Sequence, residues 1–199
     1  MSEEKNSYIV MLLPRLVYWL CDFVMFRLLG WTVEGSPPDV PKYIAIGAPH
    51  TSNWDFLLGM AAYKRIGMKY RWYGKHTIFR WPFGSLLRAM GGFPIERSQS
   101  HDVVAVAIEK FQREDAFILA IAPEGTRSKV DRWKTGFYHI AIGAGVPICP
   151  FALDFSTKRL VCGELYYPTG DKEADIKSLQ DFYRQFKGRH PEKGFPLPD

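Results

Sequence analysis

Apolar and polar positions recur along this chain on two periods. Residues 43–48 (YIAIGA) and 116–122 (AFILAIA) are unbroken apolar runs of strand length, the pattern of strands covered on both sheet faces. Runs at 70–74, 147–154 and 160–166 predict further strands, and 91–97 (GGFPIER) a turn entering another. Between these the period lengthens. From Ser100 or His101, the apolar positions Val104, Ala107, Ile108 and Phe111 recur at three- and four-residue steps, which predicts a helix with one buried face. Residues 53–65, capped by Ser52 or Asn53, and residues 81–90 read as helices. So do 137–145, ended by Gly145, and 171–187, with Ile176, Leu179, Phe182 or Tyr183, and Phe186 on one stripe and Gly188 as its stop. Strands alternating with helices predict an α/β fold. The expected architecture is a single domain with a mixed, mostly parallel sheet flanked by helices.

The N-terminal segment follows neither pattern. Residues 8–30 are strongly apolar, but Arg15, Asp22 and Arg27 interrupt them, and no uncharged run reaches the ~20 residues of a membrane-spanning helix. Arg15 and Asp22 share a helical face, while Arg27 falls about 120° away. Pro14 suits a first turn or a kink. The segment lacks the small-residue cleavage site of a signal peptide. The expectation is an amphipathic helix in a membrane interface; the competing reading is a buried core helix. The turn-rich residues 36–41 (SPPDVP) divide this segment, 1–35, from the body, 36–199.

Charge strengthens the membrane reading. The formal net charge is +5, and residues 56–95 account for it. They contain no Asp or Glu but seven cations: Lys64, Arg65, Lys69, Arg71, Lys75, Arg80 and Arg88. The rest of the chain then carries 19 basic against 21 acidic residues. Tyr70, Trp72, Tyr73, Phe79, Trp81 and Phe83 are interleaved with those cations. Such a surface suits nucleic acid or an anionic leaflet, unless the aromatics simply turn into the core. Cys21, Cys149 and Cys162 are far apart and form no CxxC pair, so neither a disulfide framework nor a zinc site is expected, and a reducing compartment is.

The candidate chemistry lies between two apolar runs, at 48–56 (APHTSNWDF). On one helix His50 and Asp55 would stand about 140° apart. They can meet only if His50 precedes the helix and the chain folds back, which the turn residues 49–53 permit. A carboxylate on one imidazole nitrogen would fix the tautomer and leave the other nitrogen free to take a proton. The spacing alone is common by chance. No metal site is supplied, because His76, His101, His139 and His190 are scattered. A second turn, 122–128 (APEGTRS), follows the apolar run 116–122. Gly125 allows close backbone approach, Thr126 brings a hydroxyl, and Arg127 a guanidinium fork suited to phosphate. Arg97 ends GGFPIER in a similar setting. Carboxyl ends of neighbouring parallel strands line one crevice, so His50, Arg97 and Arg127 are expected to share a pocket.

The ordered blocks PHTSNWD, GGFPIER, APEGTRS and VPICP (146–150), with 74–92 between them, resemble the motifs of the glycerolipid acyltransferase family, the lysophosphatidate (1-acyl-sn-glycerol-3-phosphate) acyltransferases. The likeness runs over roughly 43–154. It implies transfer of a fatty acyl group from a thioester, acyl-CoA or acyl-carrier-protein, to the hydroxyl of a lysophospholipid, with no cofactor. His50 would correspond to the general base and Asp55 to its orienting partner. Arg97, Glu124, Gly125, Thr126 and Arg127 would correspond to acceptor binding, with Lys75 or Lys134 as further candidates, and 146–150 to packing beside an acyl channel. Pro49 stands where many relatives have Asn, and Ala122 where many have Phe, which bears on substrate identity more than on reaction type. The expected place of work is the cytoplasmic face of a membrane, peripheral or monotopic, on an anionic surface, with acyl carrier protein a candidate partner and nucleic acid not. No G-x-S-x-G elbow is present and Cys149 sits in an apolar run, so direct transfer is favoured over an acyl-enzyme. Three alternatives stay open: a different lysolipid acceptor (an amino-acid lipid or glycolipid precursor), a non-catalytic lipid-binding module of the same fold, and a nucleic-acid binder that would leave His50 and Asp55 without a task.

Overall fold

The structure, a computed structural model, describes the backbone of residues 2–95 and 100–195 and the side chains of residues 12–95 and 103–195. It opens with α1 (Ser2–Asp22), extended by a π-helical turn, Phe23–Leu28. Then come β1 (Thr32–Glu34), β2 (Lys42–Ala48), α2 (Trp54–Arg65), β3 (Arg71–Lys75), α3 (Gly84–Ala89) and β4 (Gly92–Ile95). The second half runs α4 (Ser100–Arg113), β5 (Phe117–Ile121), α5 (Gly136–Ala144), β6 (Ile148–Asp154), β7 (Arg159–Cys162) and α6 (Lys172–Tyr183). The strands form one seven-stranded sheet in the order β1-β7-β6-β2-β5-β3-β4. Pairing is parallel throughout except between β6 and β7, so the sheet is mixed and mostly parallel, as expected.

Period-two alternation assigns each strand residue to a layer. From β2, Ile44, Ile46 and Ala48 pack with Phe111 of α4, Phe137 and Ile140 of α5, and Leu179 and Tyr183 of α6. Tyr43 and Ala45 turn to the opposite layer, with Leu58 and Met60 of α2 and Tyr18, Cys21 and Met25 of the N-terminal helix. Both faces of β2 are therefore covered, which explains its unbroken apolar run. Gly145 ends α5 at φ 64°. Its N–H reaches Ile142 O at 3.2 Å while Val146 N reaches Ala141 O at 3.0 Å, a left-handed cap that suits glycine.

Several elements depart from the sequence pattern. The helix expected at 81–90 is confined to Gly84–Ala89, after a 3₁₀ turn at His76–Phe79. The helix expected to run to 187 stops at Tyr183. The strand expected at 160–166 ends at Cys162, with Tyr166 rejoining β6 only as a single bridge to Ile148. The short edge strand β1 gave no sequence signal. Because β1 pairs with β7, residues 1–35 and 36–199 meet in one sheet.

The N-terminal helix has one packed face and one exposed face. Tyr18, Cys21 and Met25 are buried, and Asp22 meets Arg65 of α2 at 2.8 Å. On the opposite face Leu12, Leu13, Leu16, Trp19, Leu20 and Phe23 are exposed. Pro14 lies inside the helix rather than in its first turn. No described helix is long and apolar enough to cross a membrane. The basic, aromatic segment 56–95 divides likewise. Tyr70 and Phe79 are core, Arg65 lies over Phe26 and Arg88 binds the Phe79 carbonyl. Ile78, Trp81 and Phe83 are exposed, Trp81 almost completely.

Candidate active site

The strands β2, β3, β4, β5 and β6 all run the same way, so their carboxyl ends form one edge. His50 lies two residues beyond β2, at that edge. Asp55, in the first turn of α2, folds back toward it. Its Oδ2 accepts the backbone N–H groups of Thr51 (2.8 Å) and Ser52 (2.9 Å) and stands 3.2 Å from His50 Nδ1. One carboxylate oxygen thus builds the chain reversal and orients the imidazole. At the helix entry Ser52 Oγ accepts Trp54 N–H at 3.0 Å, while the cap residue Asn53 makes no side-chain cap bond. Asp55 is buried, whereas the His50 side chain is 28% exposed. With Nδ1 facing the carboxylate, Nε2 is the nitrogen left for proton transfer.

The turn is braced from three directions. Glu124, beyond β5, receives the His50 backbone N–H at 3.1 and 3.2 Å on its two oxygens. It is 1% exposed, and burial pushes its carboxyl up to about 7 against the opposing pull of the His50 N–H. Arg127 donates to Asn53 Oδ1, joining the second turn to the first. From the C-terminal side, Thr51 Oγ1 accepts His190 N–H at 3.2 Å, and a Cβ on Gly188 would stand 2.7 Å from that same oxygen. Beneath β2, Tyr183 donates to Ile46 O at 2.8 Å. Pro49, Glu124, Trp133, Tyr183 and Phe186 line a cavity of about 100 Å³, a volume for a few waters rather than a fatty chain. His50 lines neither this cavity nor the larger cleft beside residues 130–135; its ring opens to the surface.

The second turn is tight. Gly125 has φ 66°, its N–H reaches Ala122 O at 3.0 Å, and a Cβ there would stand 2.9 Å from Lys134 Cδ. The left-handed backbone there favours glycine. Thr126 Oγ1 accepts Ser128 N–H at 3.3 Å, and Arg127 is exposed beside the dyad.

The expected site residues separate accordingly. His50, Asp55, Gly125, Thr126 and Arg127 lie on two adjoining turns. Glu124, expected to contact the acceptor, is buried and holds the His50 backbone N–H. Lys75 is exposed and closes β3 at the same edge, but β5 lies between β3 and β2, which puts it roughly 10 Å across the sheet from β2. Arg97 lies outside the described residues. Residues 146–150, expected beside an acyl channel, lead into β6, where Ile148, Cys149 and Pro150 pair with Ile44, Ala45 and Ile46, in mid-sheet and away from the His50 edge. Burial pushes the Cys149 thiol up to about 12, and its Sγ donates to Gly163 O at 3.3 Å, so it is no thiolate at neutral pH. Sequence reasoning missed Asn53 as the partner of Arg127 and missed the Thr51–His190 strap. Nothing local marks either, since each partner lies far away in the chain.

The sequence profile of the Acyltransferase family matches residues 38–154, the stretch from before β2 to the end of β6. The 1-acyl-sn-glycerol-3-phosphate acyltransferase of Escherichia coli (strain K12) is 32% identical over 150 residues, 70% of this chain and 59% of that protein. The enzyme of the same name from Salmonella typhimurium (strain LT2) is 33% identical over 144 residues, 67% of this chain and 57% of that protein. The chain thus spans somewhat under six-tenths of the length of these curated relatives. The crystal structure of the 1-acyl-sn-glycerophosphate (LPA) acyltransferase from Thermotoga maritima superposes with a TM-score of 0.59 at 20% identity, covering 94% of this chain and 85% of that one; at that identity the likeness speaks for the fold. With the profile taking in β2 through β6 and both turns at their carboxyl edge, this chain belongs to the Acyltransferase family.

Proposed function

We propose that the chain is an O-acyltransferase that moves a fatty acyl group from a thioester to the free hydroxyl of 1-acyl-glycerol-3-phosphate, giving phosphatidate. The observation that carries this reading is the imidazole held at 3.2 Å from a buried carboxylate, with a guanidinium brought beside it by the Arg127–Asn53 contact. The names of the relatives point to the same acceptor.

In the proposed reaction His50 Nε2 removes the hydroxyl proton as the oxygen attacks the thioester carbonyl. Asp55 supports the imidazolium that forms. Collapse of the tetrahedral adduct breaks the C–S bond, and the proton passes from Nε2 to the departing thiolate. Arg127 grips the acceptor phosphate, next to the hydroxyl that reacts. The donor is acyl-CoA or acyl-carrier-protein, and no cofactor enters the scheme.

Both substrates carry long acyl chains, and the exposed apolar face of α1, with Ile78, Trp81 and Phe83, would rest on the cytoplasmic leaflet where those chains reside. The cations of the same basic segment, Arg80 among them, favour anionic lipid. Sedimentation with anionic vesicles should weaken as salt rises; equal partition to neutral and anionic vesicles at every salt level would refute this placement. For the reaction itself, pure protein is incubated with labelled donor and a panel of lysolipids that includes amino-acid and sugar headgroups. Phosphatidate as the dominant product is expected, and labelling confined to a phosphate-free acceptor would overturn the assignment.

A further inference from the structure

Residues 130–135, between β5 and α5, and Lys172, opening α6, line an open surface cleft of about 750 Å³. Arg132, Lys134 and Lys172 line it, with Asp131 as the sole carboxylate among the lining residues. Elsewhere Arg65 is paired with Asp22, Arg159 with Glu34 and Asp154, Arg113 with Glu109, and Lys177 and Arg184 with Asp181. Among the described residues, none of the three cleft cations has an acidic partner within ion-pair distance. Like charges gathered in a concavity repel one another and focus a positive potential, which is the electrostatic form of an anion site.

This cleft adjoins the reaction turn. Lys134 lies against Gly125, and its backbone N–H donates to Pro123 O at 2.8 Å. Glu124, between those two residues, holds the His50 N–H. Neither His50, Asn53 nor Arg127 lines the cleft, so an anion in it would lie outside the contact between the two turns. The acceptor phosphate does not suit that position. In 1-acyl-glycerol-3-phosphate the reacting hydroxyl and the phosphate are on neighbouring carbons, so the phosphate must remain close to His50. A thioester donor is built the other way. In coenzyme A and in acyl carrier protein alike, a pantetheine arm with two amide units separates the thioester from its phosphate.

Resting on the acyl-transfer reading above, we propose that the cleft formed by Arg132, Lys134 and Lys172 binds the phosphate of the donor's phosphopantetheine arm, leaving Arg127 to the acceptor. The cleft then measures the donor, and its cations matter only for thioesters that carry that phosphate.

Titration of the intact protein with coenzyme A, without acceptor, tests this directly. In an R132Q/K134Q/K172Q variant, where glutamine in place of Lys134 keeps an apolar stem over Gly125, coenzyme A binding is expected to weaken roughly tenfold, three exposed charge contacts being lost. Lys172→Glu alone should weaken it in the same direction. In turnover assays, the preference for acyl-CoA and acyl-carrier-protein over an acyl N-acetylcysteamine thioester, which has no phosphate, should fall about as far. Unchanged coenzyme A binding in both variants would overturn the proposal. So would a rise in KM for lysophosphatidate in place of the donor, or an effect confined to the carrier protein, which would mark a protein-docking surface. Coenzyme A bound by the parent with no acyl transfer to any acceptor would instead defeat the proposed reaction and leave this site standing.

Discussion

Two carboxylates of this protein are equally hidden and behave in opposite ways. Glu124 and Asp175 are each 1% exposed. Burial drives the Glu124 carboxyl up to about 7, since the His50 backbone N–H is its one described donor. Burial also opposes the charge on Asp175, but hydroxyls of Tyr166 (2.7 Å), Thr169 (2.8 Å) and Tyr138 (2.8 Å), with the Thr169 N–H at 2.8 Å, outweigh it and hold the carboxyl at about 2. Asp175 has several donors where Glu124 has one, and the donors set the direction of its shift. Asp175 belongs to a saturated clamp tying α6 to α5 and to the chain after β7. Glu124 belongs to a sparsely satisfied corner, where stability is given up for the placement of one imidazole.

The sharpest way to separate the two regions is to remove one group from each. His50→Ala should lower the acyl-transfer rate about a hundredfold or more with a melting temperature near the parent's, because that side chain is partly exposed. Asp175→Ala should do the reverse. It strands the buried Tyr138 hydroxyl and breaks part-buried bonds to Tyr166 and Thr169, so the melting temperature should fall by at least about 5 °C while the rate per folded molecule holds. A His50→Ala enzyme with parental turnover would remove the dyad from the mechanism.

Acid and base should also act on them with opposite sign. The raised Glu124 carboxyl makes the folded state hold a proton that the unfolded state releases, so stability should fall as pH rises from about 4.5 to 7, by up to ~3 kcal/mol, and then level off. Glu124→Gln, whose amide oxygen can still accept the His50 N–H, should flatten that slope in urea titrations at pH 5 and 8. The lowered Asp175 carboxyl contributes above its ordinary value of 3.8 and loses that contribution as pH falls toward 2. An unchanged slope in Glu124→Gln would mean that the corner is wetter than its burial implies.

The smallest expected effect distinguishes placement from binding. Arg127→Lys keeps the charge and loses the fork, so KM for the lysophosphatidate acceptor should rise several-fold, about 1 kcal/mol, with kcat nearly kept. A loss confined to kcat would make the Arg127–Asn53 contact a brace like Glu124 and not a phosphate grip.

Legibility in the sequence followed distance along the chain. The unbroken run 43–48 became β2 almost residue for residue, because a strand covered on both faces must be apolar at every position. His50 and Asp55 were legible because the fold-back that joins them is built by Thr51 and Ser52, the residues between them. The ends of α3 and α6 were less legible. The 3₁₀ turn at His76–Phe79 and the strap after Tyr183 arise from contacts with other elements, such as the Lys187 N–H on Asp154 at 3.3 Å. The N-terminal helix was ambiguous for a definite reason. It is apolar on two faces, one packed on α2 and the other exposed, and a periodic pattern cannot tell a neighbouring helix from a lipid.

By itself, then, the sequence determined the alternation of strands and helices, the two turns and the dyad, since these depend on steps of a few residues and on the conformational preferences of Pro, Gly, Ser and Asp. Only the tertiary structure decided that Glu124 would support His50 and that Arg127 would reach Asn53, contacts that each span 74 residues. Those partners meet because β5 lies beside β2 in parallel register, bringing the two turns to one edge, and no local preference encodes which strand becomes whose neighbour.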